Sequence, residues 1–218
     1  MGFAKYMAAA LVAAGSLASV PAFAESGNGQ TLINGAVKTV PMIKSDARFE
    51  HMLAKAKGVV IFPTMVKAAF LVGGSGAQGV LLKHNSDGSW SDPAFVTLGS
   101  VSAGLQAGGK AGPVAFLLMT KKALGDMTQA NNFSLNANSG LTIVGYSAKG
   151  QAPVGKGDIV IWSDQSGAFA GGSFSGADIT QNTTEDHTYY SKPVDAVQVL
   201  KGDAHQSGAQ KLVQALPS

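Results

Sequence analysis

Residues 56–82 read AKGVVIFPTMVKAAFLVGGSGAQGVLL, and this stretch decides the fold class. Val59–Phe62 is a β-branched run that stops at Pro63, and Val66–Val72 is a second run that stops at Gly73. Short apolar runs bounded by proline and glycine are typical of buried strands. Proline donates no ladder hydrogen bond, and glycine permits positive φ or close backbone packing. The stretch is therefore predicted to form a bent β-hairpin or a barrel corner.

Further apolar runs separated by glycines bring the predicted number of short strands to about eight. Leu141–Tyr146 is expected to pair near the alternating residues 133–138, and Asp158–Ser163 is expected to form a hairpin with Gly167–Phe174. The other runs are Ala94–Leu98, Val101–Ala107 and Val114–Met119. With 28 glycines and only 13% charged residues, the composition favours a β-rich fold over a helical bundle. We predict an α+β single domain dominated by a strongly curved antiparallel β-sheet or barrel, with N-terminal and C-terminal helices.

Helical periodicity appears on both sides of this predicted sheet. Thr31–Val40 carries one apolar stripe and is predicted to end at Pro41. The stripe is expected to pack on the sheet, although its cationic flanks leave a membrane-facing N-terminal unit open as an alternative. The other predicted helices are one capped by Ser45 that runs to Lys55 or Ala56, one capped by Thr120 over Lys121–Met127, and two at Ala196–Leu200 and His205–Leu216.

The first 24 residues have the pattern of a secretory signal peptide. Lys5 supplies a positive start, Met7–Val20 is apolar but short of the roughly 20 residues of a membrane span, and Ala22-Phe23-Ala24 is an A-x-A site. We predict cleavage before Glu25, which leaves residues 25–218 as one domain of an exported protein, periplasmic or secreted and peripheral to a membrane. The chain has no cysteine, which excludes disulfides, thiolate metal sites and a lipid-modified N-terminal cysteine.

The charge balance does not indicate nucleic-acid binding. Without Lys5, the 16 basic residues become 15, against 13 acidic ones, a formal charge of +2. Arg48 is the single arginine of the chain, and lysines act as hydrated point charges. That character suits diffuse attraction to anionic headgroups better than the reading of bases.

Motifs for catalysis are weak. Residues 74–79 match G-x-G-x-x-G, but the run that follows reaches a turn at Asp87-Gly88 and leaves no room for the helix of a dinucleotide site. No G-x-S-x-G or H-E-x-x-H is present, and Glu185-Asp186-His187 is expected on a solvated loop. We therefore expect no enzyme, no metal and no cofactor. An enzyme whose histidine or carboxylate pair meets a serine only in three dimensions remains an alternative.

Five ordered segments resemble the SYLF domain family, which occurs in bacterial secreted proteins and in eukaryotic membrane-remodelling proteins. The segments are AKGVVIFP with VKAAFLVGG and GVLL, Gly104–Gly109, Val114–Thr120, Gly167–Ala177 and the aromatic pair Tyr189-Tyr190. The resemblance spans roughly Leu32 to Leu216. The chain departs from the family pattern at Ala69-Phe70-Leu71, where Gly-Phe-Gly is usual, and at Ser191, where a glycine usually follows the aromatic pair.

The resemblance implies a non-enzymatic domain that binds acidic phospholipid or phosphoinositide-type headgroups at a membrane surface. Lysines that flank the opening strands are the residues expected to meet such headgroups if they converge on one rim. The predicted lipid-binding residues are Lys55, Lys57, Lys67, Phe70, Lys83, Lys38 and Arg48. The alternative is a protein-binding module or adaptor of the cell envelope or host surface, because some relatives of the family resemble actin-binding adaptors.

Overall fold

The protein is described by a computed structural model that covers residues 29–69, 73–102, 110–129, 132–135, 140–147, 157–164 and 177–218. The predicted signal peptide, Phe70 and the predicted strand Gly167–Phe174 lie outside these residues. The helices are α1 (Gly29–Lys44), α2 (Ala47–Lys55), α3 (Lys121–Gln129), α4 (Thr183–Tyr190), α5 (Ala196–Lys201) and α6 (Gln210–Ala215). The strands are β1 (Gly58–Ala69), β2 (Gly73–Lys83), β3 (Ala94–Ser102), β4 (Lys110–Leu118), β5 (Asn132–Leu135), β6 (Ile143–Ser147), β7 (Ile159–Ser163) and β8 (Ala177–Gln181).

The eight described strands form one strongly curled, half-barrel sheet in the order β5-β8-β3-β2-β1-β4-β7-β6. Neighbouring strands are antiparallel except for β6 and β7, which run parallel. Helices precede and follow the sheet along the chain, so the predicted α+β architecture is confirmed.

Strand β1 crosses the proline that was expected to end it. Between Phe62 and Met65 the pairing with β4 shifts in register, and the pairing with β2 shifts between Ile61 and Val66. Pro63 lies in this irregularity, where a missing N–H breaks no regular ladder bond. The two predicted strands are therefore one bent strand, and its hairpin partner is β2, which contains the glycine cluster. In the same way β3 runs through Gly99, where two strands were predicted.

The core lies at the end of the sheet where β1 begins. Residues 59–62 of β1 and 114–118 of β4 are all fully buried, so both faces of these strands are covered. Helix α1 packs on β1 and β2, and α3 packs on β4 and β5. Among the described residues, no helix has both the length and the apolar character needed to cross a membrane.

Helix α1 extends beyond Pro41, at which it was predicted to end. Pro41 is exposed in the last turn, and its carbonyl accepts from Ser45 N over 2.9 Å. The predicted apolar stripe packs on the core, because Ile33, Ala36 and Val40 are fully buried and Leu32 and Val37 are partly buried against it. Helix α2 is capped by Asp46, not by Ser45, since the Asp46 carboxylate accepts from Arg48 N.

Two expectations for the second half of the chain are wrong. Strand β6 pairs with β7, and it lies at the opposite edge of the sheet from β5, near which it was predicted to pair. The cluster Glu185-Asp186-His187, expected on a solvated loop, lies in the helix α4, and both Glu185 and Asp186 are buried. Asn182 caps this helix by accepting from Glu185 N.

Candidate functional site

Lys57 joins three elements at one end of the sheet. Its N–H donates to Leu118 O, the last residue of β4, over 2.7 Å, and its carbonyl accepts from His84 N over 3.0 Å. Gly58 is the register partner of both Lys83 and Leu118. The start of β1 and the ends of β2 and β4 therefore meet at Lys57.

Five lysines lie at or next to the ends of the helices and strands that meet here. Lys55 is the last residue of α2, Lys83 is the last residue of β2, and α3 begins three residues after β4. Thr120 starts α3 as predicted, since its hydroxyl accepts from Ala123 N over 3.2 Å. We call this set the lysine end: Lys55, Lys57, Lys83, Lys121 and Lys122. Four of the five side chains are exposed and that of Lys83 is half-buried.

Acidic side chains near the lysine end are engaged in local bonds. Lys122 pairs with Asp126 at 2.5 Å. Asp158 accepts from Thr142 N and from the Thr120 hydroxyl, both at 2.9 Å, and these bonds hold its pKa below the usual value. Ser89 lowers the pKa of Asp87 in the same way. Among the described residues, no carboxylate lies within ion-pair distance of Lys55, Lys57, Lys83 or Lys121.

An aromatic stack lies beside Lys57 and Lys83 at the lysine end. The rings of His84 and Trp90 are parallel, with centroids 4.4 Å apart, and His84 Nδ1 lies 3.0 Å from Ala56 O. That geometry makes Nδ1 the protonated, donating nitrogen of the ring. Trp90 Nε1 in turn donates to Pro217 O over 2.7 Å. The stack therefore connects the lysine end to the C-terminal residues of the chain.

The structure divides the predicted binding residues. Lys67 pairs in register with Ser75 and Lys110, nine residues along β1 from Gly58, or about 30 Å at the usual rise of a strand. Lys38 is exposed in the second half of α1. Arg48 is exposed on α2, and its guanidinium bonds the Asp46 carboxylate at 2.5 Å, which lowers the pKa of Asp46.

The backbone positions of Lys55, Lys57 and Lys83 therefore lie at one end of the sheet, whereas Lys67 lies at the other end of β1. Lys121 and Lys122 were not among the predicted binding residues. The helix that begins with them was predicted, but their place beside Lys57 depends on the pairing of β4 with β1, which the sequence analysis does not predict. In the described part of the chain, no three His, Asp or Glu side chains are grouped to hold a metal ion.

The second half of the chain matches a known family. A family model described as "Ysc84: Las17-binding protein actin regulator" matches residues 99–218, more than half of the chain. The chain belongs to the Ysc84 family. This is the SYLF family that the sequence resembles. The match includes β4 and α3 of the lysine end and all of α4, α5 and α6.

Individual members of the Ysc84 family are similar to most of the chain. "SH3 domain-containing YSC84-like protein 1" of Rattus norvegicus is 26% identical over 189 residues, which are 85% of this chain and 53% of that protein. The protein of the same name from Homo sapiens is 25% identical over the same shares. "LAS seventeen-binding protein 3" of Saccharomyces cerevisiae is 28% identical over 156 residues, 69% of this chain and 34% of that protein. The chain spans about half the length of the mammalian relatives. The family description and the name of the yeast relative both refer to binding of Las17.

Proposed function

We propose that this Ysc84-family domain is a non-enzymatic binding module that engages the anionic headgroups of phospholipids through its lysine end. The observation that carries the proposal is the meeting of β1, β2 and β4 at Lys57, with exposed lysines on each neighbouring element. A planar, negatively charged surface fits such a set because ammonium groups attract phosphates without requiring a fixed geometry.

The expected affinity is weak and depends on salt. Each lysine near an anionic leaflet contributes up to about 1 kcal/mol, an attraction that falls off within a Debye length of roughly 8 Å at physiological ionic strength. Three to five such contacts give reversible binding that rises with the fraction of anionic lipid. Inositol phosphates carry more charge per headgroup than phosphatidylserine, so phosphoinositides are the finer expectation.

The experiment is co-sedimentation of residues 25–218 with neutral and with 30% phosphatidylserine vesicles, at low and high salt. The wild type is expected to sediment with anionic vesicles only, and less at high salt. Lys57→Gln with Lys83→Gln should lower the bound fraction severalfold. Lys201→Gln with Lys211→Gln is the matched control, since it removes two exposed lysines from α5 and α6 and changes the net charge equally.

Equal loss in both double variants would assign the binding to net charge and not to the lysine end. If neither double variant changes vesicle binding, other residues make the contact, and Lys67 and Lys38 are the next predicted. Absence of binding to every vesicle would overturn the proposal.

A protein partner is the second candidate, and the family description favours it because it names binding to Las17 and regulation of actin. In that case purified domain should retain a protein partner after the Lys57 and Lys83 changes, while vesicle binding is lost. A different substitution could abolish capture of the protein partner and leave vesicle binding intact. That result would show that the two activities use different surfaces of the domain.

We also propose that the domain acts outside the cytoplasm, on the strength of the predicted signal peptide at residues 1–24. The test is the mass of the mature protein after expression of the full chain in a bacterium. A mass that begins at Glu25 in the periplasmic fraction supports the proposal, and an uncleaved chain in the cytoplasm contradicts it.

A further inference from the structure

Two adjacent carboxylates in the first turn of α4 hold the starts of two other elements. Glu185 Oε1 accepts from the N–H of Gly29, the first residue of α1, over 2.5 Å. Asp186 Oδ1 accepts from the N–H of Phe95 at the start of β3 over 2.9 Å. Glu185 is 5% exposed and Asp186 is fully buried. These two bonds bridge 156 and 91 residues of sequence, so α4 connects the beginning and the middle of the chain.

The contact between the two held elements is direct. A Cβ placed on Gly29 would lie 2.6 Å from the Phe95 ring and 2.9 Å from Glu185 Oε1. Gly29 therefore packs closely between the Phe95 ring and the Glu185 side chain. Movement of the first turn of α4 would release the start of α1 and the start of β3 together.

The charge of Asp186 is not balanced. Its Oδ2 is buried and has no hydrogen-bond partner among the described residues, and neither carboxylate has a described lysine or arginine partner. The groups that face this turn are Glu185, Tyr189 and Tyr190 of α4 itself, Asp195 at the start of α5, and Asp92 before β3, which is bonded to the exposed His205. The carboxylates of Glu185 and Asp195 disfavour a negative charge on Asp186.

We propose that the first turn of α4 is a proton-controlled clasp on the start of α1. A proton on Asp186 keeps both bonds in place, and its loss leaves an unpaired charge beside Glu185 that loosens the turn. The energetic support is that burial raises the pKa of Asp186 to about 7, with smaller contributions from Asp195 and Glu185 and an opposing one from the Phe95 N–H.

The direction of the effect follows from linkage. In the open state Asp186 is hydrated and titrates near the ordinary value of 3.8, whereas in the closed clasp it titrates near 7. The closed state binds the proton more tightly, so the opening equilibrium increases as the pH rises between these two values and levels off above pH 7. Between pH 5 and pH 8 the increase is roughly tenfold to a hundredfold if opening hydrates the side chain fully.

The experiment is amide hydrogen exchange of the full chain at pH 5 and pH 8, corrected for the intrinsic rate. Exchange in residues 29–34 should increase by at least tenfold relative to residues 58–62 of β1, which serve as the internal control. In Asp186→Asn, which keeps the shape and lacks the charge, the ratio should be the same at both pH values. Glu185→Gln keeps an acceptor for Gly29 and removes one opposing charge, so it should reduce the pH response without abolishing it.

Three outcomes would overturn the clasp. The first is an equal pH response in wild type and Asp186→Asn. The second is an increase that affects β1 as much as α1, since that would be global destabilisation. The third, which needs no variant, is a carboxyl carbon resonance of Asp186 that titrates near 4 in the folded wild-type protein.

Discussion

Gly35 of α1 lies against Pro63 of β1, at the place where the helix crosses the bend in the strand. A Cβ on Gly35 would be 2.6 Å from Pro63 Cβ and 3.0 Å from its Cγ. The absence of a side chain at Gly35 therefore sets how closely α1 approaches the irregularity in β1. The bend that removes Pro63 from the regular ladder also gives it a position under the helix.

Gly35→Ala is expected to destabilise the fold by about 1–3 kcal/mol, because the proline ring is rigid and the helix must move away. This cost exceeds the gain of about 1 kcal/mol in helix propensity. Gly125→Ala is the matched control in α3, since its Cβ would meet nothing closer than 3.8 Å. Urea unfolding should show the first variant less stable and the second slightly more stable than wild type. The same sign for both would mean that α1 is free to shift.

Ser191 adopts a left-handed conformation at the end of α4, with φ 54° and ψ 31°. Glycine is the residue that usually fills this position after a helix. Ser191→Gly is therefore expected to raise stability by up to about 1 kcal/mol, seen as a higher midpoint of thermal unfolding. Gly202→Ala tests the opposite change at the end of α5, where φ is 93°, and should lower the midpoint. A lower midpoint for Ser191→Gly would contradict this account of the helix end.

The sequence predicts the fold class because its strongest signal, the runs of buried apolar residues, is also what builds the sheet. It places strand ends less well. Pro63 and Gly99 predict strand ends, but a register shift accommodates the proline in β1, and β3 continues through the glycine. Helix α4 was missed since TTEDHTYY has no apolar stripe: its buried positions are two carboxylates and Tyr190.

The candidate site shows the same limit. Lys57 and Lys67 flank the two short strands predicted at the start of the sheet, and their joint role in binding depends on convergence at one rim. Since β1 is one continuous strand, ten residues of extended backbone separate them, and no turn brings them together. Local patterns cannot tell a turn from a bulge at Pro63, because the decision depends on pairing with β2 and β4, which are remote in sequence.

Tyr190 ties α4 to the chain just before β3. Its buried hydroxyl donates to Pro93 O over 2.8 Å. Tyr190→Phe leaves that carbonyl without its partner and is expected to cost about 1–2 kcal/mol in the free energy of unfolding. Tyr189→Phe is the control on the neighbouring ring, whose hydroxyl makes only a 3.4 Å bond to Gln30. Its cost should be smaller, and equal costs would argue that ring packing dominates at both positions.

Asp158 ties β7 to the lysine end. Its carboxylate accepts from Thr120, which caps α3, and from the backbone of Thr142, just before β6. Both bonds favour the charged form, and the Thr142 N–H contributes most to keeping the pKa of Asp158 below 3.8. A folded-state pKa below the unfolded one means that this stability is present above about pH 4 and is lost as the pH falls through the lowered value.

Asp158→Asn is therefore expected to lose about 1 kcal/mol of stability at pH 7, a modest figure because the side chain is half-exposed. The difference from wild type should shrink as the pH falls below 4, where the wild-type carboxylate takes up a proton. Urea unfolding of both proteins at pH 7, 5 and 3 measures this. Asp203→Asn makes the same charge change at an exposed residue and should have little effect at any of these values. A deficit for Asp158→Asn that is as large at pH 3 as at pH 7 would show that the ionised carboxylate is not its source.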